Sequence, residues 1–273
     1  MRKISMWMSA AVLILSGLAT ASCSSFDNAA FETKEKYFIT HIYADNGGLK
    51  TENIDYVYDA QGRVVQETSD GTLVGNPFTM LVKYTYEDGA ITRYEPDENF
   101  SCHYTLNSKG MVVSIDYLSE SGEDTHDTYE YDAQGHLIAY VVDGTPYYEF
   151  EWQGDDLVKI TEQFNDESKS VTVVEPSDLT TDYPHQLLLT AYVDTPLFMD
   201  GRFGKMWKHL PAKTTSTITT IMGETTIVDA YDYTIEGGRI KAYTKTRTTT
   251  MNIASIQKED QAVYSYVYTW QKK

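Results

Sequence analysis

A cysteine placed directly after small residues and an apolar run can accept a lipid on its sulfur, and Cys23 occupies that position. Arg2 and Lys3 supply a positive start, Ile4 to Leu18 an apolar stretch, and Thr20-Ala21-Ser22 a small-residue cleavage site. The stretch is too short, and followed by too little positive charge, to read as a spanning helix. The expectation is a signal peptide over 1–22, lipid on Cys23 and a flexible tether over 23–36. Threonine replaces the commoner leucine three positions before Cys23, and an ordinary signal cleaved nearby is the alternative. The only other cysteine is Cys102, so lipidation of Cys23 leaves no disulfide, and Cys102 reads as a small buried hydrophobe.

Other candidate chemistry is sparse. The histidines at 41, 103, 126, 136, 185 and 209 show no HxH or HExxH spacing, so no zinc site is expected. Glu120, Glu123, Asp124 and Asp127 offer hard oxygens for calcium but lack the register of a calcium loop, and read as a solvated acidic loop. The expected cofactor list is therefore empty apart from the covalent lipid. No nucleophile elbow and no phosphate loop occur. An acid pair for glycoside hydrolysis stays open only because there are 40 acidic residues to draw on. The 22 tyrosines support two readings: cross-strand packing, or a concave platform for sugars, peptides or apolar ligands. The candidate platform residues are Tyr84, Tyr104, Tyr129, Trp152 and Tyr231.

Net charge is −18, and loss of Arg2 and Lys3 with residues 1–22 removes no acid, which takes it to −20. Such a body does not suit nucleic acid or anionic headgroups. The expected partners are the membrane, through the lipid alone, and a glycan, a peptide or another envelope protein.

The elements that must position these residues come from an internal repeat of aromatic-x-aromatic, a polar turn with Gly, and a short apolar run. It appears at Tyr56-Val57-Tyr58 with Gly62, Tyr84-Thr85-Tyr86 with Gly89, Tyr104-Thr105-Leu106 with Gly110, Tyr129-Glu130-Tyr131 with Gly135 and Phe150-Glu151-Trp152 with Gly154. Alternation puts the aromatics on one face and Asp or Glu on the other. Asp59-Ala60-Gln61-Gly62 recurs as Asp132-Ala133-Gln134-Gly135, a type I turn closed by a positive-φ glycine. Val171–Val174 reads as a further strand and Pro176–Pro184 as a loop. Leu187–Tyr192 reads as the opening of a short helix. Strands return over 214–222, 225–234, 239–250 and 263–270, with Tyr231-Asp232-Tyr233 and Gly238 repeating the motif. The fold class expected is all-β, an antiparallel meander of hairpins forming a strongly curved or barrel-like sheet. It spans 37–273 as one domain, and an insertion over about 176–211 covers or plugs one end.

The repeats, Tyr56-x-Tyr58-Asp59-x-x-Gly62-Arg63 above all, resemble the tyrosine–aspartate repeats of RHS-type shells. Phe203-Gly204-Lys205-Met206-Trp207-Lys208-His209-Leu210-Pro211 resembles the Gly-Lys-x-x-Lys-Asn-Leu-Pro segment of a Bacteroidetes lipoprotein family, domain-of-unknown-function family 4595, with His209 in place of the asparagine. The motif positions are Gly204, Lys205, Leu210 and Pro211. The resemblance covers most of 37–271 and implies a porin-like fold at the cell envelope, with no activity attached. The strands pair charged and threonine residues on one face with tyrosine on the other, which suits water outside and aromatics inside rather than a lipid-facing band.

Three readings of function remain: a ligand- or partner-binding lipoprotein, an envelope hydrolase with an acid pair, and a structural component of an envelope complex. The anchor has a direct check. Cys23→Ser should move the protein from the membrane fraction to the soluble fraction on fractionation of the cells, and retention in the membrane would refute lipidation.

Overall fold

A strand that alternates aromatic and polar side chains buries one face only, and sixteen such strands here bury it by closing on themselves. The computed structural model describes residues 37–118, 125–165, 167–181, 194–253 and 256–272. Cys23, the signal, the tether, Glu120, Glu123, Asp124, His185 and the Leu187–Tyr192 segment lie outside them. The strands are β1 (Tyr37–Asn46), β2 (Lys50–Tyr58), β3 (Val64–Leu73), β4 (Asn76–Glu87), β5 (Ala90–Glu95), β6 (Phe100–Leu106), β7 (Val112–Leu118) and β8 (Thr125–Tyr131). They continue as β9 (Leu137–Val142), β10 (Thr145–Gln153), β11 (Asp156–Asn165), β12 (Ser168–Thr180), β13 (His209–Thr220), β14 (Gly223–Glu236), β15 (Arg239–Ile253) and β16 (Ile256–Lys272). Each pairs antiparallel with its sequence neighbour, and β16 pairs with β1 to close the barrel. The expected all-β meander is a closed sixteen-stranded barrel with, among the described residues, one short helix, α1 (Thr195–Met199).

Each repeat unit joins an even strand to the next odd strand at one rim. At Asp59 the carboxylate accepts from the backbone N–H groups of Gln61 and Arg63, and Gly62 closes the turn at φ 85°. Asp132 does the same for His136, and Asn107 for Lys109 and Met111. The last inward aromatic of the even strand then donates to a carbonyl of the strand before it. Tyr58 reaches Ile39 O at 2.7 Å, Tyr86 Val64 O at 2.8 Å, Tyr131 Val112 O at 2.6 Å and Tyr233 Pro211 O at 2.8 Å. Trp152 and Trp270 use their indole N–H in the same way, to Leu137 O and Ile240 O, each at 2.8 Å. The aromatic repeat is therefore a hydrogen-bonded ladder that ties one rim together.

Eight strands make a barrel that side chains can fill, whereas sixteen enclose far more space. The β12–β13 connection fills part of it. Asp194 caps α1, accepting from Leu197 N at 3.1 Å, and Pro196 sits in the first turn, where its missing N–H costs nothing. Leu197, Phe198, Met199, Phe203, Trp207 and Leu210 are buried in one cluster with the inward strand residues, Phe203 edge-on to Tyr129 at 5.0 Å. The segment is stitched to successive turns through backbone bonds: Val112 N to Arg202 O at 2.7 Å, Lys205 N to Gly135 O at 2.8 Å and Lys208 N to Asp155 O at 2.9 Å.

The described part of the insertion, from Asp194 to Leu210, plugs one end, and its secondary structure differs from the expectation. Pro176–Pro184 does not read as a loop throughout, because β12 runs to Thr180 and pairs Pro176 with Pro211 across a bulge. Two prolines tolerated beside a register shift hid the strand. The helix described lies at Thr195–Met199, after the segment read as its opening. The strands over 209–272 run longer than their apolar alternation suggested, since threonine occupies much of both faces.

The motif glycine sits where the plug meets the wall. At φ 85°, a Cβ on Gly204 would stand 2.4 Å from Gly135 O and 3.0 Å from the Tyr131 ring. Gly204→Ala should therefore cost more stability than the ~1–2 kcal/mol of a left-handed backbone alone, read from urea unfolding. A smaller loss would show that the plug does not press on the β8–β9 turn.

Candidate functional site

Register carries the inward side of each strand from the packed rim towards the opposite one, and the chemistry changes on the way. Below lie the plug and the buried aromatics. Midway, the inward positions become polar or charged: Asn46, Lys50 and Glu52, Glu67, Arg93 and Glu95, Asp127, Glu162, Ser170, Thr214, Asp229, and Lys245 with Arg247. Beyond them, inward Phe78, Met80, Ile218, Ile227 and Met251 are only half-buried. Inward residues at the plugged end are sealed, whereas those at the far end meet solvent. The far half is thus the more open end of the barrel, with the polar belt between it and the plug.

Most charges of the belt are paired. Arg247 makes two bonds to Asp229, at 2.8 and 2.7 Å. Lys245, with no exposed surface, lies 3.7 Å from Asp229 and 4.6 Å above the Tyr264 ring, and its Nζ has no hydrogen-bond partner. Burial lowers its pKa to about 7, with Asp229 opposing. Lys50 pairs with Glu52 at 2.8 Å and stands over Phe78. Arg93 binds Glu95 and, at 3.1 Å, Asp194, which also accepts from Tyr84 Oη at 3.0 Å and from Leu197 N. Asp194 thus joins the plug helix to the wall. Burial and then the Asp194 charge push the neighbouring Glu67 carboxyl up to about 8, against the pull of Arg93.

The sequence candidates are placed as follows. Tyr84, Tyr104 and Tyr129 are buried in the packed layer below the belt, Trp152 stacks on His136 at 4.4 Å in the rim ladder, and Tyr231 is half-buried beside Tyr233. They pack the plugged end rather than forming one open platform, because the plug covers the face they share. Gly204, Lys205, Leu210 and Pro211 belong to the plug and its exit, Leu210 fully buried and Pro211 receiving Tyr233. Cys102 is buried and its thiol is pushed up to about 12 by burial. Among the described residues no group of three or more His, Cys, Asp or Glu is placed to hold a metal ion. The Asp194 charge acts on Glu67, but Asp194 is itself committed to α1, Arg93 and Tyr84. A recess of about 410 Å³ lies between the plug and the ladder rim, lined by Arg63 and Arg202. Both guanidiniums are engaged there, Arg63 by Asp59 and Arg202 by Asp200.

The belt residues were missed although a signal for them existed. Asp127 shares parity with Tyr129, Arg93 with Ile91, and Lys245 and Arg247 with Tyr243. A charge in step with inward aromatics is an inward charge.

Glu67 makes the belt sensitive to pH. A carboxyl whose folded pKa is raised binds more protons folded than unfolded, so stability falls as pH rises from about 4.5 to about 8. The slope approaches about 1.4 kcal/mol per pH unit. Lys245 acts with the opposite sign, since stability rises between about 7 and the ordinary lysine value. Glu67→Gln should flatten the thermal-stability profile between pH 5 and 7, and an unchanged profile would show that Glu67 is not held neutral.

Residues 56–242 match the family model described as "Domain of unknown function (DUF4595) with porin-like fold". Two solved structures share the fold. One is a porin-like protein from Bacteroides uniformis, 16% identical, covering 85% of this chain and 98% of its own at a TM-score of 0.58. The other is a porin-like protein from Bacteroides vulgatus, 12% identical, covering 85% and 97% at a TM-score of 0.52. No curated protein matches the sequence. With the matched segment running from β2 into β15 and taking in the plug, the chain belongs to the DUF4595 family of porin-like fold.

Proposed function

We propose that this protein is an exported lipoprotein, held at the cell envelope through Cys23, whose barrel is a water-bathed cup that binds a ligand in its open half. The observation that carries the reading is the polar belt beneath half-buried apolar residues that face the lumen. A packed structural block would fill that space, and a conducting pore would leave the other end clear of a plug.

The outer wall supports a barrel that stands in water. Its outward positions include Thr51, Asn53 and Asp55 on β2, Lys159, Thr161 and Gln163 on β11, and Thr244, Thr246, Thr248 and Thr250 on β15. Charges on a lipid-facing wall cost up to ~2–4 kcal/mol each near mid-bilayer. The first described strand begins at the plugged rim, so a tether over 23–36 leads to that rim and leaves the mouth facing away from the anchor.

Thiol accessibility tests the cup. Ser216→Cys places a thiol on an inward position of β13 and Ser265→Cys on an outward position of β16. A small maleimide should label both. Soluble glycan and peptide fractions from the envelope should include one that slows labelling of Ser216→Cys alone. Failure of the maleimide to reach Ser216→Cys, or protection by none of the fractions, would overturn the reading.

A further inference from the structure

We infer that the wall formed by β7–β10 is a subsite for an alkylammonium group, recognised by Asp127 within a cage of tyrosines. The inference rests on the cup reading and names the chemistry of one side of the same lumen. Asp127 is 4% exposed and points inward from β8, between Ile115 of β7 and Val142 of β9. Its Oδ2 accepts from Tyr140 Oη, while its Oδ1 has no hydrogen-bond partner. Three other buried carboxylates of the interior have an ion-pair partner: Asp229 has Arg247, Asp194 has Arg93, and Glu52 has Lys50. Asp127 has no such ion pair among the described residues.

The charged groups that act on Asp127 are Asp143, which works against ionisation, and His126, which is exposed and bonded to Asp116. The strands on either side bring no lysine or arginine to it. They bring aromatic rings instead. Tyr140 lies 5.1 Å from Tyr129, 6.5 Å from Tyr147 and 6.4 Å from Tyr148, and its hydroxyl is 3.4 Å from that of Tyr117. Tyr117 in turn packs on Phe100 at 6.3 Å. Tyr117, Tyr147 and Tyr148 are half-buried and stand on the lumen side.

A buried carboxylate oxygen without a donor is costly, and an ammonium N–H removes that cost. Aromatic faces attract the same ion through their quadrupoles. A neutral hydroxyl would satisfy Oδ1 but draw nothing from the rings or the charge. The acidic chain, at −18 overall, also favours the approach of cations.

The test uses the purified chain with tyrosine rings labelled for NMR, and n-butylammonium and 1-butanol as probes. Butylammonium should shift the rings of Tyr117, Tyr140, Tyr147 and Tyr148 saturably, at least about tenfold more tightly than butanol. Asp127→Asn should weaken butylammonium about tenfold, Tyr148→Ala should weaken it as well, and Thr248→Ala, on the outer wall of β15, should leave it unchanged. Affinity should rise with pH as Asp127 ionises. Equal binding of butanol, or full binding by Asp127→Asn, would overturn the assignment. Absence of ring shifts in a protein whose Ser216→Cys thiol reacts would overturn the cation subsite while leaving the cup standing. An unreactive Ser216→Cys thiol would remove both.

Discussion

Closing a sheet at sixteen strands encloses more volume than inward side chains can occupy, and the interior chemistry follows from how that volume is divided. Asp194 makes the division. One carboxylate caps the plug helix, accepts from Tyr84 and pairs with Arg93, so a short helix of five residues is held against two strands of the wall. With the plug in place, Phe198, Phe203 and Trp207 complete a dry layer with the tyrosines of the even strands. Everything beyond that layer can remain polar.

The two halves of the barrel obey different rules. In the packed half, tyrosine and tryptophan bury their rings and send their polar atoms to backbone carbonyls of the preceding strand, so the layer is both apolar and satisfied. In the belt, charges are removed from bulk water and held by partners on the same strand, as in Lys50–Glu52 and Arg93–Glu95, or on the next one, as in Arg247–Asp229. Such pairs add little net stability compared with apolar packing. The ring therefore sets the chemistry of the lumen more than it holds the wall together.

Much of the architecture was legible in residue order. The Tyr-x-Tyr units and their Asp-Ala-Gln-Gly turns specify hairpins, and parity specifies which side faces in. The plug was legible as an interruption near Pro176–Pro211. Closure was not, because it depends on β16 meeting β1 across almost the whole chain. Which of the two tyrosine readings holds was not legible for a related reason: parity says that Tyr84, Tyr104 and Tyr129 face inward, but only the plug decides that inward means covered. The belt escaped because its members are scattered over many strands and converge only when the sheet rolls up.

The stitching of the plug to the turns at 110–112, 135 and 155–156 has an evolutionary corollary. Those turns contact the plug through their backbones, so an insertion in any of them would break register with the plug as well as with the neighbouring strand. The hairpins at the mouth, such as the Val74–Gly75 and Ile221–Met222 tips, are exposed and lie outside that stitching. Length and composition can drift there without unseating the plug. The sealed rim is thus constrained twice, by its strands and by the plug, and the open rim by its strands alone.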